Sequence, residues 1–227
     1  MVDVSGFDKY HKIDTVYKRS ETGDRRLIEG EYRDKAVEYL KDNQWLITEK
    51  IDGTNIRIIY DGHSIMFGGR TDKAIIPPRL LKVLEEDYST NEFEELMEEI
   101  FGDKTVVIFG EGYGANIQKV GSKYLPDSNG FRAFDILVDG KYYLEQPDFY
   151  SVCRKLGIPT APLLATMTIP EAIEFVKSKP KSTIGDCIME GVVARPEVRL
   201  YTVDKRIIVK IKVCDFCEEK DSNESGN

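Results

Sequence analysis

Two apolar runs flank Lys50 and predict a pair of β-strands joined by a short turn. Residues 44–47 form a mainly apolar run, as in buried strands, and residues 55–60 alternate between apolar and polar side chains. Gly53 lies between the two runs and favours a turn. Lys50 is therefore predicted to lie where a strand ends, a position at which loops on a rigid scaffold often carry chemistry.

The remaining hydrophobic pattern mixes short strands with separate helices. The clearest helix has apolar residues at spacings of i, i+3, i+4, i+7 and i+8, from Phe93 to Phe101. Residues 112–130 are rich in Gly, Asn, Ser and Pro and predict a long loop, and loops of this length are often functional. The other predicted elements are strands over 64–68, 105–110, 131–138, 141–144, 188–194 and 206–213, helices over 31–42, 147–156 and 170–179, a helix opened by Pro77 and Pro78, and a short amphipathic segment within 1–30.

This mixture of strands, short turns and separate helices predicts an α+β fold with largely antiparallel sheets flanked by helices. The sequence has no internal repeat and no linker rich in Pro and Gly that would separate two halves. We therefore expect one domain over residues 1–214. Residues 215–227 are acidic and polar, which predicts a disordered tail.

Composition and charge restrict the classes of function. The chain has 227 residues, of which 41% are hydrophobic and 32% charged, as is usual for soluble globular proteins. No stretch approaches the roughly 20 apolar residues of a membrane span, and the N-terminus lacks the apolar core of a secretory signal, so we expect a cytoplasmic protein without membrane partners. The net charge of −8 argues against nucleic-acid binding over the whole surface and leaves room for a local basic groove.

The four cysteines do not predict a disulfide framework in a chain of this length. Cys214 and Cys217 have the spacing of half a zinc site, but a complete site needs four ligands. Cys153 and Cys187 are isolated in the sequence. This pattern favours incidental thiols over a metal centre.

Four later stretches place unusual polar residues in predicted strands or at their ends. Glu111 lies between two glycines, Asp135 follows Phe134, and Glu190 interrupts an apolar strand. Lys210 and Lys212 are two residues apart in a strand and so project from one face. A lysine amine is a nucleophile only in its neutral form, so a site that uses Lys50 needs neighbouring positive charge or partial burial.

Taken in order, these stretches resemble the motifs of the covalent nucleotidyltransferases, the superfamily of polynucleotide ligases and capping enzymes. Lys50-Ile51-Asp52-Gly53 resembles motif I, Gly110-Glu111-Gly112 motif III, Phe134-Asp135-Ile136 motif IIIa, Glu190-Gly191-Val192-Val193 motif IV and Lys210-Ile211-Lys212 motif V. As an ordered set of five over residues 50–212, these motifs are highly specific. The resemblance implies a ligase-type nucleotidyltransferase domain built around a nucleotide pocket.

Details near Lys50 resemble the ATP-dependent RNA ligases of the second phage type, which seal nicks. Glu49 directly precedes the lysine, Gly53-Thr54-Asn55 follows it, and Arg70 after two glycines resembles the arginine of motif Ia. The opening Phe7-Asp8-Lys9-Tyr10 also resembles the start of those ligases. Only 15 residues follow Lys212, where such ligases carry a further domain, so we expect a nucleotidyltransferase domain by itself and consider a protein partner that replaces the missing domain.

The resemblance also implies roles for individual residues. Lys50 would attack the α-phosphorus of ATP to give lysine–AMP and pyrophosphate, with Lys210, Lys212 and Mg²⁺ favouring its neutral form. Glu190 and Glu111 offer oxygen ligands to Mg²⁺, with Mn²⁺ as an alternative, and Glu111 is also a candidate for binding ribose hydroxyls. The predicted nucleotide-binding set is Glu49, Ile51, Asp52, Gly53, Asn55 near the transferred group, Arg70 on a phosphate, Glu111, Phe134 stacked on adenine, Lys210 and Lys212.

The predicted function is an ATP-dependent RNA ligase. After lysine–AMP forms, AMP would pass to an RNA 5′-phosphate, and a 3′-hydroxyl would displace it at RNA ends or in a nicked RNA duplex. Two alternatives stay open from the sequence. One is a DNA ligase or a GTP-using capping enzyme, and the other is a nucleotide-gated RNA-binding accessory subunit that seals nothing alone.

Overall fold

The structure is a computed structural model that describes residues 3–21, 26–203 and 205–217. The chain divides into two compact units. Unit 1 contains residues 1–12, 51–162 and 181–187, and unit 2 contains residues 13–50, 163–180 and 188–227. The chain passes from unit 2 to unit 1 at the peptide bond between Lys50 and Ile51. Whether residues 1–214 act as one domain stays a prediction.

The described residues form twelve strands and six α-helices, divided between the two units. The strands are β1 (Asp14–Thr15), β2 (Tyr17–Arg19), β3 (Leu27–Tyr32), β4 (Trp45–Lys50), β5 (Thr54–Tyr60), β6 (Ile65–Gly69), β7 (Val106–Gly114), β8 (Asn129–Val138), β9 (Tyr142–Tyr143), β10 (Leu163–Met167), β11 (Gly191–Pro196) and β12 (Val209–Lys212). The helices are α1 (Lys35–Leu40), α2 (Pro78–Tyr88), α3 (Asn91–Phe101), α4 (Gly121–Tyr124), α5 (Gln146–Lys155) and α6 (Ile169–Lys177), and a 3₁₀ helix covers Val213–Phe216.

Unit 1 is built on a five-stranded antiparallel sheet in the order β6-β5-β7-β8-β9. One sheet face contributes Ile58 and Ile108 to a core that also contains Leu84 of α2, Met97 of α3 and Phe149 of α5. Burial of these apolar side chains is the main favourable contribution to folding of the unit. The sheet therefore provides a rigid support for polar residues near the ends of its strands.

The N-terminal segment packs beside the other face of this sheet. Val4 and Tyr10 belong to a second apolar cluster with Phe109. The fully buried Arg57 of β5 ties this segment to the rest of unit 1, because its guanidinium donates to the carbonyl oxygen of Phe7 at 3.1 Å and to that of Gly69 at 3.0 Å. A buried guanidinium is tolerated only when its donors are satisfied, so these contacts fix the local backbone.

Unit 2 contains a second five-stranded sheet in the order β1-β12-β11-β4-β10. All neighbouring pairs are antiparallel except β1 and β12, which are parallel. Strands β2 and β3 form a separate two-stranded sheet. The core lies on one face of the large sheet, where Ile47, Val192 and Ile211 join Ile169 and Ile173 of α6 in one apolar cluster.

The α+β fold with largely antiparallel sheets is confirmed, and several boundaries differ from the predictions. Strand β10 was not predicted, and the segment expected to be amphipathic near the N-terminus contains β1 and β2. The predicted loop over 112–130 is shorter, because β7 extends through Gly114 and α4 lies within the loop. The predicted disordered tail begins inside the 3₁₀ helix, and its residues 218–227 lie outside the described part of the chain.

Among residues 3–21, 26–203 and 205–217, every helix is too short or too polar to cross a bilayer.

Candidate active site

Lys50 and Lys212 lie in one row across three strands of unit 2. Lys50 is the last residue of β4 and pairs with Gly191 of β11, which pairs on its other side with Lys212 of β12. Residues in register on neighbouring strands share a face of the sheet, and glycine places no side chain between the two lysines. A Cβ atom at Gly191 would lie 2.1 Å from the carbonyl oxygen of Ile211, so the position accepts only glycine.

Glu190 joins the two lysines. Its Oε2 accepts a hydrogen bond from Lys50 Nζ at 2.5 Å, and its Oε1 is 2.7 Å from Lys212 Nζ. The carbonyl oxygen of Glu190 accepts a backbone hydrogen bond from Val213 at 2.9 Å, which fixes this residue beside the end of β12. All three charged side chains are partly buried, with exposed fractions of 26%, 15% and 28% for Lys50, Glu190 and Lys212. The cluster is therefore one carboxylate shared by two ammonium groups.

The charge of Lys212 is stabilised by this arrangement. Burial alone would lower the pKa of Lys212, but the hydrogen bond and the negative charge of Glu190 outweigh it, so the pKa is raised above its ordinary value. Lys212 is consequently a permanent cation at neutral pH. A fixed cation one strand away from Lys50 is suited to stabilise negative charge on a bound phosphate.

Lys210 and Glu49 lie on opposite faces of the same sheet. Lys210 pairs with Val193, whose other partner is Thr48, so it shares the face of Lys50 and Lys212 one pair further along. Glu49 pairs with Val192 on the core face and is 2% exposed. The structure thus brings Lys210 to the side of Lys50 and does not bring Glu49 there.

In unit 1, three polar residues form a row across the sheet. Asn55 of β5 pairs with Glu111 of β7, and Glu111 pairs with Arg132 of β8. Arg132 donates to the carbonyl oxygen of Thr160 at 2.9 Å and to the hydroxyl oxygen of Tyr113 at 3.3 Å. Sequence reasoning named Asn55 and Glu111 and missed Arg132, although an arginine inside an apolar strand was a usable signal.

The turn after Lys50 is closely packed inside unit 1. A Cβ atom at Gly53 would lie 2.2 Å from the carbonyl oxygen of Gly112, so this turn can approach β7 only with glycine. Two side chains that sequence reasoning missed contact its backbone. Gln118 Nε2 donates to the carbonyl oxygen of Gly53 at 3.0 Å, and the amide of Asp52 donates to the hydroxyl oxygen of Tyr124 at 3.3 Å.

Phe134 is the extra residue of a β-bulge. The register of β7 and β8 shifts between Phe109, which is opposite Asp135, and Gly110, which is opposite Ala133, so Phe134 is the additional residue on β8. Bulges re-aim side chains and occur next to active sites. The ring of Phe134 is partly buried and meets the ring of Tyr10 edge-on, with centroids 4.8 Å apart. The hydroxyl of Tyr10 donates to Asp135 Oδ2 at 2.9 Å, which connects the N-terminal segment to β8.

Arg70 is exposed directly after β6. The loop that carries it is held by Asp72, which is 2.6 Å from Lys9 Nζ and 3.1 Å from Arg57 Nη2. Hydrogen bonds from Lys9 and Arg57 hold the pKa of Asp72 below its ordinary value. Arg70 itself is therefore solvent-accessible on a loop whose base is anchored.

The predicted metal ligands lie in different units, Glu111 in unit 1 and Glu190 in unit 2. Over residues 3–21, 26–203 and 205–217, His, Cys, Asp and Glu side chains form no group of three or more that could hold a metal ion. Cys214 and Cys217 are exposed free thiols.

Comparison with known proteins identifies one family. The family model described as RNA ligase matches residues 43–212. Among solved structures, the chain is similar to several forms of the Naegleria gruberi RNA ligase. No curated protein sequence matches this chain.

Three of the Naegleria structures illustrate the similarity. An apo mutant has a TM-score of 0.64 and 18% identity, covering 92% of this chain and 56% of its own. A mutant with ATP and Mn has a TM-score of 0.62 and 17% identity, covering 91% and 63%. A mutant with AMP and Mn has a TM-score of 0.61 and 17% identity, covering 78% and 52%. The chain thus spans less than two thirds of these ligases, and the similarity establishes the fold.

Proposed function

The chain belongs to the RNA ligase family, and from this premise we propose that it is an ATP-dependent RNA ligase with Lys50 as its nucleophile. The observation that carries the proposal is the cluster in unit 2, where Lys50 ends a strand and shares the carboxylate of Glu190 with Lys212. The Naegleria gruberi ligase structures with ATP and Mn and with AMP and Mn support ATP as the substrate and a divalent metal as the cofactor.

The first step is the transfer of AMP to the enzyme. The neutral amine of Lys50 attacks the α-phosphorus of ATP, a nitrogen–phosphorus bond forms, the bond to the bridging oxygen breaks, and pyrophosphate leaves. Before attack, Lys50 must lose the proton that its ammonium group directs at Glu190 Oε2. Glu190 thus orients the amine, while the cationic Lys212 and Lys210 stabilise negative charge on the reacting phosphate.

The donor chemistry at Glu190 fits a hard divalent cation. Mg²⁺ takes oxygen ligands, keeps several waters and often binds through one carboxylate plus substrate phosphates, so a larger acidic cluster is not required. Both oxygens of Glu190 contact ammonium groups, and each oxygen keeps a second lone pair that could bind a metal ion. When bound, Mg²⁺ or Mn²⁺ supplies positive charge that favours the neutral amine and polarises the phosphate. We propose Glu111 as a second metal ligand or as a ribose contact.

Within unit 1, we propose that Asn55 and Glu111 hydrogen-bond to the nucleotide and that Phe134 stacks on adenine. The proposal is supported by the row that Asn55 and Glu111 form and by the bulge that re-aims Phe134. The exposed Arg70 is suited to a bidentate phosphate contact. Ile51, Asp52 and Gly53 form the turn before Asn55, which is packed against Gly112 of β7.

The later steps act on RNA. AMP passes from Lys50 to an RNA 5′-phosphate, and a 3′-hydroxyl attacks that phosphorus and releases AMP. We propose nick sealing of the second phage type, on the local resemblance around Lys50 and Arg70.

Covalent labelling tests the proposal. The protein is incubated with Mg²⁺ and ATP labelled at the α-phosphate, and label is measured on the denatured protein. We expect label on the wild type and on Lys82→Ala, which removes an exposed lysine of α2, and none on Lys50→Ala. Absence of label on the wild type overturns the proposal.

A second measurement separates the sibling activities. GTP replaces ATP in the labelling reaction, and nicked duplexes carry RNA or DNA at the 3′-hydroxyl strand. We expect labelling with ATP over GTP and sealing that requires RNA at the 3′-hydroxyl. Preference for GTP indicates a capping-type enzyme, and label without sealing indicates an accessory subunit or a need for a partner.

A further inference from the structure

One loop of unit 1 makes hydrogen bonds to two backbone groups in the turn that follows Lys50. We call residues 115–125 the brace loop. Gln118 donates through its side-chain amide to the carbonyl oxygen of Gly53 at 3.0 Å, and Tyr124 accepts through its hydroxyl oxygen from the amide of Asp52 at 3.3 Å. One contact therefore satisfies the carbonyl oxygen of Gly53, and the other satisfies the amide of Asp52.

The backbone of the brace loop is held in an unfavourable conformation. Asn116 has a φ of 62° and Gln118 a φ of 54°, in the left-handed region that side chains other than glycine rarely adopt. Ile117 between them is buried in the core of unit 1, whereas Asn116 and Gln118 are exposed. Such strain persists only where the surrounding structure determines it, and it clusters at functional sites. Here it presents the Gln118 side chain to Gly53.

Close packing anchors the loop on two sides. A Cβ atom at Gly121 would lie 2.0 Å from the carbonyl oxygen of Gly114, so α4 lies directly against the end of β7. The buried Tyr124 meets Tyr113 edge-on, with ring centroids 5.8 Å apart. On the other side, the amide of Asp186 donates to the carbonyl oxygen of Lys123 at 2.9 Å. The brace loop is thus a rigid support for the turn.

We propose that Gln118 and Tyr124 are positioning residues for the transfer of AMP to Lys50. They fix the backbone of Asp52 and Gly53, which follows the nucleophile by only two and three residues, in the conformation that the first step requires. Chemistry depends on holding a nucleophile within fractions of an ångström, and hydrogen bonds from a rigid support achieve this. The inference rests on the proposed function and adds residues that act through the turn.

The predicted effect is confined to the first chemical step. Gln118 and Tyr124 contact the backbone of the turn, so weakening their contacts reduces the fraction of protein with a productive turn. Removing one hydrogen bond of ordinary strength predicts a rate reduced by roughly 2- to 12-fold. Sealing of an RNA that already carries AMP on its 5′-phosphate does not use Lys50 as a nucleophile, and its rate should change by less than about twofold.

The test uses the full chain and three variants. Gln118→Ala removes the donor, Tyr124→Phe removes only the hydroxyl, and Gln118→Lys keeps a donor of similar reach. Lys119→Ala is the control, because it changes an exposed neighbour in the same loop. Single-turnover labelling by ATP at saturating concentration is compared with sealing of pre-adenylylated nicked RNA, and thermal unfolding is recorded for each protein.

We expect slower labelling by Gln118→Ala and Tyr124→Phe, partial recovery in Gln118→Lys, and unchanged sealing of the pre-adenylylated substrate. If Gln118→Ala and Tyr124→Phe are both labelled at the wild-type rate, the positioning role is overturned and the proposed function stands. Equal losses in labelling and in sealing, or losses that follow the melting temperatures, also overturn it. No label on the wild type overturns the proposed function and this inference together.

Discussion

Lys50 Nζ and Glu190 Oε2 are 2.5 Å apart, and this contact fixes the position of the amine at the end of β4. The amine that the carboxylate orients must be neutral before it can act as a nucleophile. The same carboxylate contacts the ammonium group of Lys212 at 2.7 Å. A group that draws Glu190 away from Lys50 therefore removes the negative charge from the amine, while the cationic Lys212 stays on the neighbouring part of the sheet. Orientation and activation of Lys50 are therefore coupled through one side chain.

Lys50→Arg tests whether the nucleophile must become neutral. Arginine keeps a positive charge that can contact Glu190, but its guanidinium is not deprotonated in proteins. We expect labelling by ATP to fall at least about a thousandfold while the melting temperature stays close to that of the wild type. Lys50→Ala should lose the label to the same extent. Measurable AMP bound covalently to a lysine of the Lys50→Arg variant would show that another residue is the nucleophile.

Glu190→Gln tests the pH dependence of the charged cluster. Burial alone would lower the pKa of Lys212, but the contact with Glu190 outweighs burial. The pKa of Lys212 in the folded protein therefore lies above the ordinary value of 10.5. A raised pKa stabilises the fold fully at pH below the unfolded value, and this stabilisation is lost as the pH rises through the folded value. The wild type should exceed Glu190→Gln in stability by roughly 1–3 kcal/mol at pH 7.

Urea unfolding of both proteins between pH 7 and pH 11 measures this difference. We expect it to be constant up to about pH 10 and to shrink above that pH as Lys212 loses its proton. Glu197→Gln, at an exposed position after β11, is the control and should match the wild type throughout. A difference in stability that grows as the pH rises from 7 to 11 would contradict the raised pKa of Lys212.

The strands around Lys50 could be predicted because their signal is local. Strand β4 is mainly apolar and β5 alternates, so the position of Lys50 at a strand end follows from a few neighbouring residues. Strand β10 lacked such a signal. Its residues Leu163 to Met167 are partly or largely exposed, and it lies at the edge of its sheet, where no clear alternation is required.

The glycines around Glu111 show where local reasoning misleads. Gly112 was assigned to a loop because glycine punctuates strands, yet both Gly110 and Gly112 lie inside β7. A Cβ atom at Gly110 would lie 2.3 Å from the ring of Phe131, and one at Gly112 would lie 2.4 Å from Leu80. These glycines mark close packing by residues far away in sequence. Gln118 was missed for the same reason, because its partner Gly53 is 65 residues away.

Gly53→Ala tests the close approach of the turn to β7. The added Cβ atom would lie 2.2 Å from a backbone oxygen that cannot move without disturbing the strand. We expect a loss of about 1–3 kcal/mol in the free energy of unfolding and a slower rate of labelling by ATP. Gly6→Ala is the matched control, since no atom lies within 4 Å of its added Cβ. Equal stability of the two variants would show that the turn adjusts freely.

Tyr10→Phe tests the link between the N-terminal segment and β8. The hydroxyl of Tyr10 donates to Asp135 Oδ2 at 2.9 Å, and Asp135 is fully buried. Loss of a donor to a buried carboxylate predicts a decrease of about 1–3 kcal/mol in the free energy of unfolding. Tyr39→Phe, which removes a hydroxyl at a position that is 86% exposed, should be neutral.

Because Asp135 follows Phe134 directly, we also expect Tyr10→Phe to raise the ATP concentration that gives half-maximal labelling. Chemical denaturation and labelling at varied ATP measure the two effects, and a variant as stable as Tyr39→Phe would show that Asp135 is satisfied without Tyr10.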